Sequence, residues 1–326
     1  MKRLDHYWYS RNVIAWLLLP LASLYCGLTY LRRRLYAMGM LRQVKTSVPV
    51  IIVGNITVGG TGKTPFLIYL CQYLKKLGYT PGIISRGYGG QSKVYPLCVT
   101  NEVTVNQVGD EPFMIAQRTA CPVVVGPDRI ADIALLQDKY QCDIVIADDG
   151  MQHYRLQRDA EIAVVDANRQ FGNGYCLPAG PLREPVTRLK SVDMIISNGG
   201  KDNQLSFQVI PGDLVSLMNK NKSTPLTEFS GKTVHAVAGI GNPQRFFDLL
   251  ESYSITLITH PFPDHHVYKP SDFFFSDDLP VLMTEKDAVK CFAFKLDKSW
   301  YLPIDVELSQ LAQDRLSQLI EQVCHG

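Results

Sequence analysis

Paired cysteines are missing from this chain. Its eight cysteines are spread over 326 residues, no two closer than 21 positions. No C-x-x-C pair exists, so zinc ribbons and dithiol redox motifs are excluded. Several cysteines sit in apolar runs, as in Cys121-Pro-Val-Val-Val, and there they read as buried, reduced thiols of a cytosolic compartment. Internal repeats and low-complexity tracts are absent as well. Net charge is scarce: 33 bases against 31 acids leave +2, which argues against a protein that coats nucleic acid. With 46% apolar and 20% charged residues, the composition is ordinary for a globular protein.

The small net charge hides an asymmetry. Residues 1–45 carry Lys2, Arg3, Arg11, Arg32, Arg33, Arg34, Arg42 and Lys45 against Asp5, a net +7, and the remainder carries −5. Within this head, Val13–Leu31 runs for 19 residues without a charge. As a helix it would be about 28 Å long, close to the thickness of a bilayer's hydrocarbon. Trp8, Tyr9 and Trp16 crowd one end; Tyr25 and Tyr30 precede Arg32-Arg33-Arg34 at the other. A cleaved signal peptide lacks its small-residue site here. A core helix kinked at Pro20 is one reading, and a membrane-associated helix, spanning or lying in the interface, fits the flanks better. The cations favour an anionic cytoplasmic leaflet.

From Pro49 onward, short apolar runs alternate with amphipathic stretches. Val50–Val53, Gly82–Ser85, Val123–Val125, Ile144–Ala147, Ile162–Val165 and Met194–Ser197 read as buried strands. Helical patterns cover Thr64–Leu77, Asp110–Ala120 and Pro127–Tyr140. The pattern predicts a parallel α/β sheet with helices on both faces. The expected organisation is a membrane-associated segment over 1–45, a nucleotide-binding domain over 46–197, a linker over 198–231, and a smaller α/β domain over 232–326 that closes over the active site. In that last segment Gly239-Ile-Gly241 follows a strand, but Gln244 stands where a dinucleotide fingerprint needs its third glycine.

The chemistry concentrates in a few motifs. Thr57-Val58-Gly59-Gly60-Thr61-Gly62-Lys63-Thr64 joins a strand to a helix. Its glycines let successive N–H groups turn inward around phosphate oxygens, beside a helix N-terminus. Lys63 can reach β- and γ-phosphates, and Thr64 can ligate Mg²⁺. Thr57 replaces the first glycine of the standard spacing, as in the deviant loops of ParA/MinD-type ATPases. Asp148 and Asp149 leave a buried strand at the edge where such sheets bind ligands, placed to hold Mg²⁺ on the phosphates. Asp110, in Gly109-Asp-Glu-Pro112, reads as a helix cap or as a general base. His260-Pro-Phe-Pro-Asp264-His265-His266 offers a loop histidine. Ser85–Gly90 and Leu177–Pro185 are polar loops. Thr284-Glu-Lys-Asp287 lacks the lysine spacing of guanine recognition, so adenine is preferred.

Together these motifs resemble the tetraacyldisaccharide 4'-kinase (lipid A 4'-kinase) family. The matching segments are TVGGTGKTP from Thr57, SRGYGG from Ser85, GDEP from Gly109, DDGMQH from Asp148, PAGPLREP from Pro178, AGIGNP from Ala238, FPDHH from Phe262 and TEKDAVK from Thr284. They run in family order along nearly the whole chain. The resemblance implies a P-loop NTPase-like fold, ATP with Mg²⁺, and phosphoryl transfer to the 4'-hydroxyl of a lipid-linked disaccharide 1-phosphate. It implies Asp110 as base partnered by His265, with Lys63 and Asp149 in catalysis. It further implies Thr64, Asp148 and Asp149 at the metal, and Tyr88, His153, Arg183 and Glu184 lining the substrate site. An anionic membrane surface at the cytoplasmic face of the inner membrane is the expected setting, with no nucleic acid and no obligatory protein partner. The competing reading is a membrane-tethered nucleotide switch of the ParA/MinD kind. A soluble kinase with a buried N-terminal helix is the third.

Overall fold

The computed structural model describes residues 7–10, 12–201 and 203–325. Lys2, Arg3, Asp5 and Arg11 of the basic head lie outside the described residues. The chain forms two compact units. One comprises Met1–Arg86, Cys121–Gln208 and Val306–Gly326; the other comprises Gly87–Ala120 and Val209–Asp305.

The first unit is built on a parallel sheet. Val50–Gly54 is flanked by Ala160–Asp166 and Ile144–Asp148. Met194–Asn198 and Ser206–Pro211 follow on one side, Pro81–Ser85 and Val123–Val125 on the other. Every residue of Val50–Gly54, Pro81–Ser85 and Ile144–Asp148 is buried, as expected of strands covered on both faces. Val53 pairs with Asp148, so the glycine-rich loop and the two carboxylates leave the sheet at the same edge. The helix Lys63–Lys76 buries Phe66, Leu67, Leu70 and Leu74, and Phe66 stacks on Phe207 with centroids 5.7 Å apart. Truncating Leu70 to Ala would cost about 2–5 kcal/mol at such a site. The helix Arg129–Tyr140 starts at Asp128, whose carboxylate accepts from Ile130 N at 3.0 Å.

The N-terminal helix Val13–Ala37 belongs to this unit. The Asn12 side chain caps it, accepting from Ala15 N at 2.9 Å. Ala15 and Ala22 are buried, and Leu18, Leu19, Tyr25, Cys26, Thr29 and Tyr36 are partly covered on the same side. Tyr36 packs against Tyr154, and Trp8 Nε1 donates to Pro178 O. The opposite side exposes Val13, Leu17, Leu21, Leu24, Leu28 and Leu31, each more than half accessible. That spacing of three and four places the six on one helical stripe.

The second unit has its own sheet, ordered Ser223–Thr224, Leu214–Ser216, Ser299–Leu302, Val281–Thr284, Thr233–Ala238, Thr256–Pro261. Its last four strands are parallel, and the first two are antiparallel additions. The helix Pro243–Ser252 buries Phe246, Phe247 and Leu250 against it.

The units cut across the expected segments. Gly87–Ala120 joins the second unit because the helix Asp110–Thr119 packs on the helix Glu285–Cys291. The stretch read as a linker contributes Leu214–Ser216 and Ser223–Thr224 to the second sheet; strands of two or three residues are too short to show an alternation. The final helix Gln310–His325 belongs to the first unit and packs on Met194–Asn198.

Candidate active site

In the first unit the glycine-rich loop is braced from several directions. Asn55 Nδ2 donates to Thr61 Oγ1 at 3.2 Å, and Asn198 Nδ2 donates to Thr61 O at 3.1 Å. Val58 N donates to Pro181 O at 2.8 Å, and Arg183 N to Ile56 O at 2.7 Å. Gly62, at φ +92°, leads into the helix, and a Cβ there would collide with the Asn198 amide. Only glycine meets both conditions at once.

Lys63 and Asp149 come together at the loop's mouth. Lys63 Nζ donates to Asp149 Oδ1 at 2.7 Å and to Asn55 Oδ1 at 3.1 Å. Arg183 Nη1 donates to Asp149 Oδ2 at 2.6 Å. Burial opposes ionisation of Asp149, but Lys63 and Arg183 outweigh it and hold the carboxyl at about 2. Asp148 is more enclosed and accepts from Ser85 Oγ at 2.9 Å. The described residues include no group of three or more His, Cys, Asp or Glu able to hold a metal ion. The oxygen donors of Thr64 and Asp148 do fit Mg²⁺, which takes one or two protein oxygens and completes its shell with phosphates and water.

The second unit brings together Asp110 and His265. Here the cap expectation is corrected: Gly109, at φ +92°, occupies the N-cap, and Asp110 is the first residue of the helix Asp110–Thr119. A Cβ at Gly109 would run into Tyr88 O. This turn frees the Asp110 carboxylate, which is 4% exposed and faces His265 Nδ1 at 3.1 and 3.0 Å. Burial pushes the Asp110 carboxyl up; the His265 hydrogen bond, then Lys286, the His265 charge and Lys290, pull it below its ordinary value. His265 moves the other way, raised chiefly by its hydrogen bond to Asp110 against the opposing effect of burial. His265 sits at φ +60°, a left-handed conformation that costs a non-glycine residue of order 1–3 kcal/mol and clusters at functional sites. The Tyr88 ring packs against it at 5.1 Å. His266 turns to Asp272 instead, at 3.2 Å.

The expected substrate residues Glu184 and His153 are both largely covered. Glu184 is 2% exposed and accepts from the Tyr154 hydroxyl and from Gln152 Nε2, so it braces the interior. His153 is half-buried, with its Nδ1 unpaired and its imidazole pushed down first by burial and then by Arg129. Sequence reasoning missed Arg129, a buried guanidinium 3.5 Å from Asp148 O and 3.7 Å from the Asp132 carboxylate. It also missed Lys286 and Lys290, whose only signal was the TEKDAVK motif itself.

Residues 14–324 match the family model for tetraacyldisaccharide-1-P 4'-kinase. A tetraacyldisaccharide 4'-kinase of Methylobacillus flagellatus is 48% identical over 326 residues, spanning 98% of this chain and 97% of the relative. The Haemophilus influenzae protein of that name is 46% identical, spanning 98% and 99%. Among solved structures, the "apo" form of LpxK from Aquifex aeolicus in complex with ATP matches with a TM-score of 0.81 at 30% identity, over 95% of this chain and 99% of that one.

Proposed function

The chain belongs to the tetraacyldisaccharide-1-P 4'-kinase family, and from that premise we propose that it transfers the γ-phosphoryl group of ATP to the 4'-hydroxyl of a tetraacyldisaccharide 1-phosphate, a step of lipid A biosynthesis. The observation that carries the reading is the Asp110–His265 pair, 3.0 Å apart on a chain that also holds a braced phosphate loop. A nucleotide switch of the ParA/MinD kind leaves that pair without a use.

Phosphoryl transfer is mostly positioning and charge neutralisation. The loop Thr57–Thr64 surrounds the phosphates, its N–H groups beyond Val58 turned to them while Val58 N stays on Pro181 O. Lys63 is taken over from Asp149 by the β- and γ-oxygens. Thr64 and Asp148, with Asp149 once it is released, would hold Mg²⁺, which supplies positive charge to those oxygens. Asp110 accepts the proton of the acceptor hydroxyl as that oxygen bonds to the γ-phosphorus and the bond to ADP breaks. His265 holds the carboxylate in line and stabilises the proton that arrives. Tyr88 in the second unit and His153 and Arg183 in the first are each assigned to substrate binding by the family resemblance, and Glu184 keeps the Arg183 loop in place from beneath.

The acceptor is a lipid, and the N-terminal helix suits that. Its leucine stripe would enter the interface of an anionic leaflet at the cytoplasmic face of the inner membrane, with Arg32, Arg33 and Arg34 at the headgroups. One-sided packing on the body supports lying in the interface over crossing it. Labelled ATP with a lipid A precursor tests the proposal: label appears on the lipid in step with ADP. Release of free phosphate without labelled lipid would refute it. Flotation with anionic vesicles tests the helix separately. Leu17→Ser/Leu21→Ser/Leu24→Ser should abolish co-flotation, and unchanged flotation would sink the interfacial reading.

A further inference from the structure

The helix Glu285–Cys291 carries two lysines, Lys286 and Lys290, one turn apart on the face toward Asp110. Lys290 Nζ lies 3.8 Å and Lys286 Nζ 4.0 Å from Asp110 Oδ2. Both side chains are well covered, at 9% and 14% exposure. Neither hydrogen-bonds the carboxylate, so both act on it through space while its direct contacts remain His265 Nδ1 and Glu111 N.

Their other contacts differ. Lys286 Nζ donates to Glu111 Oε1 at 2.8 Å and to Asp264 Oδ1 at 3.3 Å. It ties the start of the Asp110 helix to the loop carrying His265. Lys290 lies 2.9 Å from Asp287 Oδ1 and beneath the Tyr268 ring at 5.1 Å, and its ammonium lacks a well-aligned hydrogen bond. Asp287 is fully buried and is fixed by Gly239 N at 2.8 Å and the Thr284 hydroxyl at 2.6 Å. A desolvated cation in such a place has a long electrostatic reach, because little water screens it.

We propose that Lys286 and Lys290 are positioning residues for the phosphoryl-transfer base: their fixed charges, Lys286 anchored on Glu111 and Asp264 and Lys290 beside Asp287, keep the buried Asp110 carboxylate ionised. The inference rests on Asp110 being that base. The charged groups around Asp110 and His265 are Lys286, Lys290, Glu111 and Asp264, the last 3.7 Å from His265 Nε2, with Asp287 beside Lys290. Without the lysines, burial of Asp110 is opposed only by His265 and the Glu111 N–H, and the carboxylate protonates at higher pH. A uniform structural defect would lower the rate equally at every pH. Loss of a charge that keeps a base ionised lowers it on the acid side only, tenfold per unit by which the acid limb moves.

The test uses the full-length protein in detergent micelles with ATP and the lipid acceptor. Lys286→Met and Lys290→Met should each move the acid limb of the kcat profile upward, with rates recovering toward wild type at alkaline pH and the ATP KM unchanged. Lys286→Arg should restore much of the profile. Lys290→Met strands the buried Asp287 charge, so Lys290→Met/Asp287→Asn, which removes both charges, is measured beside it. NMR of the His265 imidazole gives a second readout: Lys286→Met should raise its titration midpoint. Profiles that keep the wild-type acid limb, or fall equally at all pH, overturn the proposal. Asp110→Asn separates the two levels. If Asp110→Asn is inactive while the lysine variants keep the wild-type acid limb, only the lysine roles fail. If Asp110→Asn turns over near normally, the base assignment fails and takes this inference with it.

Discussion

Asp149 and Asp110 are each held between cations, yet the two settings are built for different ends. Asp149 is 31% exposed and bonds directly to Lys63 and Arg183. Those cations sit at the mouth of a phosphate loop, so a triphosphate competes for the same groups. Asp110 is 4% exposed, and its lysines stand at 3.8 and 4.0 Å, too far to be exchanged in a single hydrogen-bond swap. In the proposed mechanism the first arrangement is a contact that the arriving anion breaks. The second is a fixed field around a group that stays ionised until the acceptor delivers its proton. Direct contact versus action at a distance is therefore the difference between a group that trades partners and a group that is tuned.

Three measurements would break or sharpen this contrast. The largest effect is expected from Asp110→Asn. It should lower kcat by about 10²–10⁴-fold, the range for a positioned acid–base group, while ATP binding stays within a few-fold of wild type. A loss confined to ATP affinity would place Asp110 with the nucleotide and erase the distinction. Lys63→Met should come next, costing about 10²–10³-fold in kcat/KM as a removed electrostatic stabiliser. Arg183 should then be the sole direct cation on Asp149, and ATP affinity should fall with the rate, unlike in Asp110→Asn. The smallest effect concerns stability against pH. Asp110 is depressed in the folded state, so its contribution is present above about pH 3.9 and is lost as pH falls through its lower folded value. His265 is raised, so its contribution is present below about pH 6.5 and is lost as pH rises through its higher folded value. The Tm difference between wild type and Asp110→Asn should therefore peak at about pH 4–6.5 and shrink on both sides. A difference that is flat from pH 3 to pH 9 would show that the pair does not exchange charge with the folding equilibrium.

Much of the first unit was legible because its signals are local. Val50–Val53 and Ile144–Ala147 are continuous apolar runs, and the glycine spacing before Lys63 has few other uses. The Gly109-Asp-Glu-Pro segment was half legible: a helix start was evident, but the one-residue difference between a cap and a first-turn carboxylate depends on the φ of Gly109. What could not be read were pairings across sequence distance. Nothing local tells that Arg183 will meet Asp149, or that Glu184 beside it will turn inward to Tyr154. Gly87–Ala120 looked like a continuation of the nucleotide-binding segment, since its helix has an ordinary amphipathic pattern that suits any sheet. Which surface it covers is set by contacts such as Arg118 with Glu285, Glu111 with Lys286 and Asp110 with Lys290, between residues more than 150 positions apart.

The struts on the glycine-rich loop have a thermodynamic consequence. A loop with Gly59, Gly60 and Gly62 in so short a span has wide conformational freedom when unsupported, and closing it around a guest would then carry an ordering penalty. Asn55 and Asn198 hold the Thr61 hydroxyl and carbonyl, and Pro181 and Arg183 hold the backbone at Val58 and Ile56, before any nucleotide arrives. Encounter with a nucleotide then meets a cradle already shaped. Its entropy of association should reflect counter-charge and water released rather than chain immobilised. Replacing Asn198 by Ala should leave the catalytic groups intact and slow capture, as the loop regains the freedom that its scaffold had removed.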